Sequence, residues 1–354
     1  MDGNDQPISL SIRKAEDLDS NAWDAYVAAH SEGEFFHRFG WGRVIERAYG
    51  YESHFFMAMR AEKIVGILPL IDVRAPLLGR SLISTAFTVG GGLLCDDNAV
   101  GAALLDKAEA LGRTLSVKYI ELRSGTALGS AWSSVTDRHA GFAMDLPASE
   151  DDNLKAIPRK RRAEVRKAIK AHGAGEISLR HEIAPDLFYP IYAASLREHG
   201  TPVFSKRFLN ALIAEFEDDI DMFFVETDGA PIVALLNFKY KKKYLPYYIG
   251  ALHSARACRG SEFVFWVSMR HAAEAGYQVF DFGRSKMDTG PFAFKRLWGI
   301  EPEMLTYHYC LLSASELPNV SPKNPKFQMF TKVWRQLPAP VTNQLGPLLA
   351  ANFA

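Results

Sequence analysis

The sequence predicts a mixed α/β protein of the α+β type, built from two related lobes. The chain has 354 residues, which exceeds the size at which one hydrophobic core keeps growing. Short apolar runs that are typical of strands alternate with segments of helical periodicity. The same order of these elements occurs twice along the chain, which indicates an internal duplication.

The first copy of the pattern lies in the N-terminal half. Ser20 and Asn21 precede a segment in which Trp23, Tyr26 and Val27 share one helical face. The charged turn at 60–63 separates two apolar runs, as in a hairpin. The predicted elements are a helix from 20, strands at 55–59 and 64–68, an amphipathic helix over 100–115 and a strand over 119–123.

The second copy repeats this order in the C-terminal half. Gly276 follows its helical segment, where a helix C-cap is expected. The predicted elements are a hairpin of strands at 222–226 and 232–236, a strand at 247–251, a helix over 261–275 and a strand over 279–284.

The join between the lobes is expected near Pro147 to Asp152, where Ser149 and Asp152 have the spacing of a capping box. A basic helical segment follows the join, and a proline-rich extension ends the chain. The predicted domains are a first lobe over 1–148, an inter-lobe segment over 149–175, a second lobe with the active site over 176–317, and an extension over 318–354.

Composition restricts the function classes. Lysine plus arginine and aspartate plus glutamate both number 41, so no global charge attracts nucleic acid or an anionic membrane. The cysteines at 95, 258 and 310 are few and widely spaced, which favours a reducing compartment. The histidines show no metal-ligand spacing, and we expect no bound metal and no tightly bound cofactor.

The location expected from the sequence is cytoplasmic. Met1 to Pro7 has no basic region followed by an apolar run, so no export signal is predicted. The apolar stretch from Ile64 to Ile71 is far shorter than the roughly 20 residues that span a bilayer. The apolar stretch from Leu345 to Leu349 leaves open a weak peripheral contact at the inner face of the membrane.

A basic stripe is predicted on the helix that follows Pro158. Arg159, Arg162, Arg166 and Lys170 recur at spacings of three and four, so they share one face. Like charges at this spacing repel each other unless an anion lies on them. Two interpretations stay open: a solvated helix face, or a clamp for the phosphates of a lipid-linked sugar, a nucleotide or a tRNA.

A second basic group precedes the helix of the second lobe. Arg256, Arg259, Gly260 and Ser261 form a turn at the helix N-terminus, where backbone N–H groups suit a phosphate of an acyl donor. The corresponding turn of the first lobe, at 92–97, carries Asp96 and Asp97 instead. Because carboxylates repel phosphate, we expect no donor site in the first lobe.

A third group follows the last strand of the second lobe. Asp281 and Arg284 end the strand, and Lys286 and Lys295 lie in or after the glycine-containing loop that follows. Polar groups at strand ends are typical of working sites, and preorganised cations stabilise a developing oxyanion. The alternative interpretation is a salt-bridge cluster that ties the loop to the sheet.

These motifs together resemble the FemAB-related proteins that accompany exosortase/PEP-CTERM systems and exopolysaccharide loci. The resemblance covers nearly the whole chain. It rests on these segments: Phe35-Phe36-His37-Arg38-x-x-Trp41, Ile157-Pro158-Arg159-Lys160-x-Arg162, Asp281-Phe282-Gly283-Arg284-Ser285-Lys286, and Gly290-x-x-x-Phe294-Lys295-x-x-Trp298-Gly299.

The resemblance implies two tandem GNAT-like lobes and an N-acyl- or aminoacyltransferase that acts on a cell-envelope or exopolysaccharide precursor. In these relatives a lysine of a Phe-Lys pair supports the reaction, which implies this role for Lys295. The chain is also similar to BioF2-like acetyltransferase-domain proteins, so the donor is either aminoacyl-tRNA or acyl-CoA. The turn at 256–261 departs from the Arg/Gln-x-x-Gly-x-Gly/Ala pattern of acetyl-CoA-dependent GNAT enzymes.

The chemistry of acyl transfer suggests roles for the candidate residues. Lys295 and Arg284 are expected to stabilise the oxyanion, with Asp281 orienting one of them or receiving a proton. Tyr248, next to Tyr247, is the candidate proton donor to the leaving group. His199 and Thr201 are expected on the acceptor side, with His199 as a candidate general base.

Three alternatives remain open from the sequence. One is an acyl-CoA-dependent acetyltransferase acting on a small amine or amino sugar. Another is an RNA-binding module that uses the basic stripe. The third is a catalytically silent GNAT-like partner in a polysaccharide-assembly complex.

Overall fold

The computed structural model describes residues 9–76, 78–123, 132–317 and 325–352. The predictions made for residues 1–7 and for the start of the C-terminal extension at 318–324 lie outside this range. The described chain forms two compact units. Unit 1 takes its residues from 1–136, 306–318 and 352–354, and unit 2 from 137–305 and 319–351.

Unit 1 begins the chain and contains a mixed sheet with helices. Its elements are β1 (Leu10–Lys14), α1 (Ser20–Ala29), α2 (Gly40–Tyr49), β2 (Ser53–Arg60), β3 (Lys63–Ala75), β4 (Gly79–Ser84), β5 (Leu94–Cys95), α3 (Asn98–Thr114) and β6 (Tyr119–Arg123). The chain then passes into unit 2 within β7 (Ser133–Asp145).

Unit 2 contains the rest of β7, the start of β13 and all the other remaining elements. They are α4 (Glu150–Ala156), α5 (Arg159–Gly173), β8 (Ser178–His181), α6 (Pro185–His199), α7 (Lys206–Phe216), β9 (Ile220–Thr227), β10 (Ala230–Tyr240), β11 (Lys243–Ala251), α8 (Ala255–Cys258), α9 (Gly260–Glu274), β12 (Val279–Lys286), α10 (Gly290–Arg296), β13 (Glu303–Leu311), α11 (Pro325–Gln336) and α12 (Ala339–Ala350). The chain returns to unit 1 within β13.

The predicted duplication is confirmed and includes elements that the sequence pattern did not indicate. Unit 1 has the order β1, α1, α2, β2, β3, β4, α3, β6, and unit 2 has the order β8, α6, α7, β9, β10, β11, α9, β12. Each sheet is completed by a strand from the other half of the sequence: β13 pairs antiparallel with β6, and β7 pairs antiparallel with β12. Each lobe therefore contains a strand from the other half of the sequence. The predicted domain limits stay a prediction.

One pair of parallel strands separates early in each unit. In unit 1, β4 and β6 pair only at Leu82–Ile120 and Ile83–Glu121. In unit 2, β11 and β12 pair only at Lys243–Val279 and Tyr244–Phe280. Beyond these pairs the described strands do not pair with each other, and we call the region at their carboxyl ends, where pairing stops, the gap.

The core of unit 2 has helices on both faces of its sheet. On one face, α9 buries Phe265, Trp266 and neighbouring apolar residues against β9 to β12. Ile249 of β11 faces this cluster, so the next residue, Gly250, faces the opposite side. There α6 packs on β10 and β11 at backbone contact distance.

The last helix, α12, contains the apolar stretch for which a membrane contact was predicted. Leu345 and Leu348 of α12 keep 42% and 69% of their surface exposed, so part of the predicted apolar stretch faces outward. In the ranges that the structure describes, no helix combines the length and the apolar character needed to cross a membrane. Contact with the membrane surface stays a prediction.

Substitution of Gly250 by alanine should destabilise unit 2. A Cβ at this position would lie 2.6 Å from Tyr192 Cα and 2.7 Å from Tyr192 N, which are backbone atoms that cannot rotate away. We expect the free energy of unfolding to fall by about 1–3 kcal/mol, as measured by chemical denaturation. Gly141→Ala is the matched strand control, because its Cβ would meet nothing closer than Leu305 Cδ2 at 3.4 Å. Equal stability of the two variants would contradict the packing described.

Candidate active site

Irregular backbone marks both strands at the gap in unit 2. The register between β10 and β11 shifts between Leu236 and Asn237, which leaves Tyr247 as an extra residue in β11. The register between β12 and β7 shifts between Asp281 and Arg284, where Gly283 has a φ of +67°. This left-handed conformation is readily adopted by glycine, and it turns the carbonyls of Gly283 and Arg284 toward α10.

Lys295 caps these two carbonyls. Its Nζ donates to the oxygen of Arg284 at 2.9 Å and to that of Gly283 at 3.2 Å. The same ammonium lies 5.6 Å from the ring centre of Phe142. The short helix α10 that carries Lys295 is held by Thr289, whose hydroxyl accepts from Phe292 N. Two bonds to carbonyls use two of the three N–H donors of an ammonium, so one donor remains for a ligand.

Burial lowers the pKa of Lys295 from its ordinary value of 10.5 to about 7. The negative charge of Asp281 opposes this shift, and the positive charge of Arg284 reinforces it. Lys295 therefore exchanges its proton near neutral pH, whereas an ordinary lysine stays charged.

Asp281 faces the same region from β12. Its carboxylate accepts from Gly283 N at 2.8 Å and lies 4.0 Å from the Nζ of Lys243. Burial raises the pKa of Asp281, although 19% of the side chain remains exposed. The structure thus brings Lys295, Asp281 and Arg284 together, as the sequence predicted, and adds Lys243 and Phe142.

Arg284 and Lys286 lie where β12 meets β7. Arg284 pairs with Gly141 and Lys286 pairs with His139. Both side chains are half-buried, and the carbonyl of Lys286 accepts the hydroxyl of Thr289 at 2.7 Å. The predicted role of Arg284 in stabilising the oxyanion and that of Lys286 in binding substrate stay predictions.

The turn before α9 combines a strained backbone with internal ion pairs. Arg259 has a φ of +59°, and its guanidinium donates to Glu164 at 2.8 Å and to the carbonyl of Ala257 at 2.7 Å. Gly260 is buried, and a Cβ added at this position would lie 2.9 Å from Cγ2 of Val233. Arg256 is exposed and Ser261 is half-buried. Because Glu164 already binds Arg259, the groups best placed for a donor phosphate here are the guanidinium of Arg256 and the backbone N–H donors of the first turn of α9.

Arg161 connects this turn to α10. It forms an ion pair with Glu262 in the first turn of α9, and its guanidinium lies over the rings of Phe294 and Trp298 at 5.1 and 5.9 Å. Phe294 precedes Lys295, so Arg161 fixes the helix that carries the lysine.

The basic stripe forms on α5 as predicted. Arg159, Arg162, Arg166 and Lys170 line a concave surface of about 480 Å³ together with Ala163 and Lys167. In the part of the chain that the structure describes, none of these four cations forms an ion pair, although Arg162 donates to the carbonyl of Lys155 at 3.2 Å. The other face of α5 is neutralised, because Arg161 pairs with Glu262 and Glu164 pairs with Arg259 and Lys167.

The two tyrosines of β11 lie in an aromatic cluster. Because the extra residue in β11 reverses the alternation, Tyr248 points to α6 and α7, and its ring contacts Tyr192 and Phe208 at 5.7 and 6.3 Å. Tyr247 lies against Phe238 at 5.3 Å. The proposed proton donation by Tyr248 stays a prediction.

His199 and Thr201 end α6. Nδ1 of His199 lies 2.7 Å from the carbonyl of Ser195, and Gly200 has a φ of +77°. The N–H of Thr201 donates to Leu196 at 2.9 Å. These contacts are those of a helix C-terminus with a left-handed cap. A role as general base for His199 stays a prediction.

The corresponding region of unit 1 is filled. Arg123 and Glu121 of β6 are both buried and form an ion pair at 2.8 Å, and Arg123 also donates to the carbonyl of Thr88 at 2.9 Å. At the N-terminus of α3, Asp97 accepts from Val100 N at 3.0 Å and pairs with Arg60 at 2.5 Å. Since its own carboxylate caps α3, this helix end offers little to an anion. The expectation that the first lobe lacks a donor site stays a prediction that this geometry favours.

Sequence reasoning missed Phe142, Lys243 and Arg161. Phe142 comes from a strand beyond the first copy of the repeat, and no local pattern connects it to residue 295. Lys243 belongs to a charged turn that appears only solvated in the sequence. Arg161 lies within the run of basic residues at 159–162, where only helical periodicity distinguishes it from the residues of the stripe.

The comparisons with known proteins agree with this fold. Residues 159–296, which contain every site residue from Arg159 to Lys295, match the family model described as an acetyltransferase (GNAT) domain. No curated protein matches the sequence.

Solved structures with the same fold cover most of the chain at low identity. FemX is 14% identical, with a TM-score of 0.68 over 91% of this chain and 100% of its own. The C-terminal domain of a protein assigned as a lysylphosphatidylglycerol synthetase from Agrobacterium fabrum is 13% identical, with a TM-score of 0.55 over 82% of this chain and 91% of its own. A tandem GNAT protein from the clavulanic acid biosynthesis pathway is 14% identical, with a TM-score of 0.53 over 87% of this chain and 100% of its own. The chain thus has a tandem GNAT-type fold, and its GNAT domain match contains Asp281, Arg284 and Lys295 of the candidate site.

Proposed function

We propose that the protein is an N-acyl- or aminoacyltransferase of the FemAB-like type, acting on an amine of a cell-envelope or exopolysaccharide precursor. The observation that carries this proposal is Lys295, a half-buried amine whose pKa is lowered to about 7 and which is held beside Asp281 at the gap between β11 and β12. Its location within the GNAT domain match supports acyl-transfer chemistry.

The proposed reaction forms one bond and breaks one. The neutral amine of the acceptor attacks the carbonyl carbon of the donor, a C–N bond forms, and the ester or thioester bond to the leaving group breaks. Negative charge develops on the carbonyl oxygen as the attack proceeds. The remaining donor of Lys295, supported by the charge of Arg284, would stabilise this oxygen.

Proton transfer completes the reaction. The attacking amine must lose a proton, and the leaving oxygen or sulfur must gain one. Asp281, whose pKa is raised by burial, is the proposed acceptor of the amine proton. Because Lys295 titrates near neutral pH, it can carry a proton toward the leaving group without a large free-energy cost.

The donor is proposed to be aminoacyl-tRNA or an acyl-CoA, which share an activated carbonyl and phosphate groups. The first turn of α9 and Arg256 would bind a phosphate near the gap, and the stripe on α5 would bind further phosphates. Solved structures of the same fold include FemX and the C-terminal domain of a protein assigned as a lysylphosphatidylglycerol synthetase, which supports an acceptor in the cell envelope.

Replacement of Lys295 by methionine should abolish most of the transfer while leaving the fold intact. Donors would first be identified by thermal shift of the full chain against acyl-CoAs and aminoacyl-tRNAs, and transfer would be measured by the mass gain of amine acceptors. We expect kcat/KM to fall about 10²–10³-fold, because one oxyanion donor is lost. The thermal shift caused by the donor should persist.

Lys242→Met is the matched control, because Lys242 is exposed and lies in the turn directly before Lys243, the first residue of β11. It should transfer at the rate of the unchanged protein. Undiminished transfer by Lys295→Met would refute the assignment of Lys295.

A binding-module function is the second candidate, and the stripe on α5 is the observation that favours it. Four cations on one concave surface have no carboxylate partner among the described residues. A polyphosphate ligand such as RNA would neutralise them and release counterions. In this case ligand binding would depend on the stripe and would not depend on Lys295.

The double variant Arg162→Ala/Arg166→Ala should weaken binding of tRNA. Each lost phosphate contact reduces the magnitude of the slope of log affinity against log salt by about 0.7–0.9. Loss of two contacts should therefore reduce the magnitude of this slope by about 1.4–1.8. Filter binding or fluorescence anisotropy at several salt concentrations measures it. Lys160→Ala is the control on the same helix but outside the stripe. If tRNA binding is lost while no donor supports any transfer, the binding module replaces the transferase.

A further inference from the structure

Two histidines and one aspartate meet in unit 2 on the side of the sheet that faces α9. His181 ends β8, Asp221 is the second residue of β9, and His271 lies in the last turn of α9. One ligand atom of each residue lies within 4.8 Å of those of the other two. The three residues are far apart in the sequence, so no motif signals their meeting.

The distances within this cluster suit a shared metal ion. Nε2 of His181 lies 3.4 Å from Oδ1 of Asp221, and Nε2 of His271 lies 3.5 Å from Oδ2. These separations exceed the roughly 2.7–3.2 Å of ordinary N–H···O hydrogen bonds. Two ligand atoms bound at about 2.0–2.1 Å to one tetrahedral zinc ion lie about 3.3 Å apart. Because the two imidazoles approach different oxygens of Asp221, a shared ion would be bound by both oxygens of this carboxylate.

Neighbouring groups hold the aspartate and one imidazole in place. The hydroxyl of Tyr244 donates to Oδ2 of Asp221 at 2.8 Å. Asn237 donates to the carbonyl of Asp221 at 3.2 Å and accepts from Ser268 of α9 at 2.8 Å. The ring of His181 stacks on Phe223 at 4.3 Å. Such second contacts orient metal ligands and are typical of built sites.

Lys239 is the remaining charged group at the cluster. Its Nζ donates to Oδ1 of Asp221 at 3.2 Å, so it supplies a positive charge where an ion would supply two. The lysine is partly exposed, and its four-carbon chain allows the ammonium to move into solvent. Binding of an ion would therefore displace the ammonium from the carboxylate.

We propose that His181, Asp221 and His271 bind one divalent late first-row transition metal ion of the zinc class. Two imidazoles and a carboxylate are a ligand set that such ions prefer over Mg²⁺ or Ca²⁺. The side chains of His181 and His271 are 41% and 33% exposed, which lets water fill the open position. The ion ties β8, at the edge of the sheet, to α9. This site departs from the sequence-based expectation of no metal and does not depend on acyl transfer.

The test is a titration of the full chain, freed of metal by dialysis against a chelator, with ZnCl₂ alone in a calorimeter. A parallel titration with CoCl₂ monitors the visible absorption bands of four-coordinate cobalt. We expect one ion per chain with a micromolar or tighter Kd. His181→Gln and His271→Gln should each weaken binding by about 100-fold or more, since each removes a ligand.

Two variants distinguish the proposed site from non-specific binding. Lys239→Met should tighten zinc binding by about tenfold or more, because it removes the competing cation. His253→Gln removes an exposed histidine outside the cluster and should leave the Kd unchanged. Absence of saturable binding, or binding that survives both cluster substitutions, would overturn the proposal. So would a Kd that does not respond to Lys239→Met.

Discussion

The separation of β11 from β12 after two residue pairs is the constraint on which the candidate site depends. Continuous pairing would fill the gap with backbone hydrogen bonds and leave no space at the carboxyl ends. Because the strands diverge and Gly283 adopts a positive φ, two carbonyls turn toward α10 and receive Lys295. The lysine is thus desolvated by its position and held by main-chain dipoles, and its low pKa follows from that burial.

The duplicated units differ in the side chains that lie at the gap. In unit 1 the gap region is occupied by Arg123, its ion pair with Glu121 and its bond to Thr88, and the carboxylate of Asp97 caps α3. In unit 2 the residue at the N-cap of α9 is Arg259, whose side chain is turned away to Glu164. The physical difference lies in the helix cap: the carboxylate of Asp97 accepts from a backbone N–H of α3, whereas the carboxylate in the first turn of α9, Glu262, pairs with Arg161. This asymmetry concentrates the proposed chemistry in unit 2.

The fold was predictable from sequence because hydrophobic periodicity and order are local signals. The trio of Asp281, Arg284 and Lys295 was predictable because its members lie close together in the sequence, after a recognisable strand. The contribution of Phe142 could not be predicted, since β7 joins β12 only in the folded chain. The position of Tyr248 depends on an extra residue in β11, and a one-residue shift reverses the faces of a strand. The cluster of His181, Asp221 and His271 is likewise visible only in three dimensions.

The protonation state of the Lys295 side chain is the most direct test of the proposed active site. Lysine labelled with ¹³C and ¹⁵N in the full chain allows its side-chain signals to be followed with pH, and Lys295→Arg assigns the resonance. The account predicts a midpoint near pH 7. Asp281→Asn should lower the midpoint further, because the nearby negative charge that favours the ammonium is lost. A midpoint at the ordinary lysine value, unchanged by Asp281→Asn, would contradict the buried amine on which the proposed function rests.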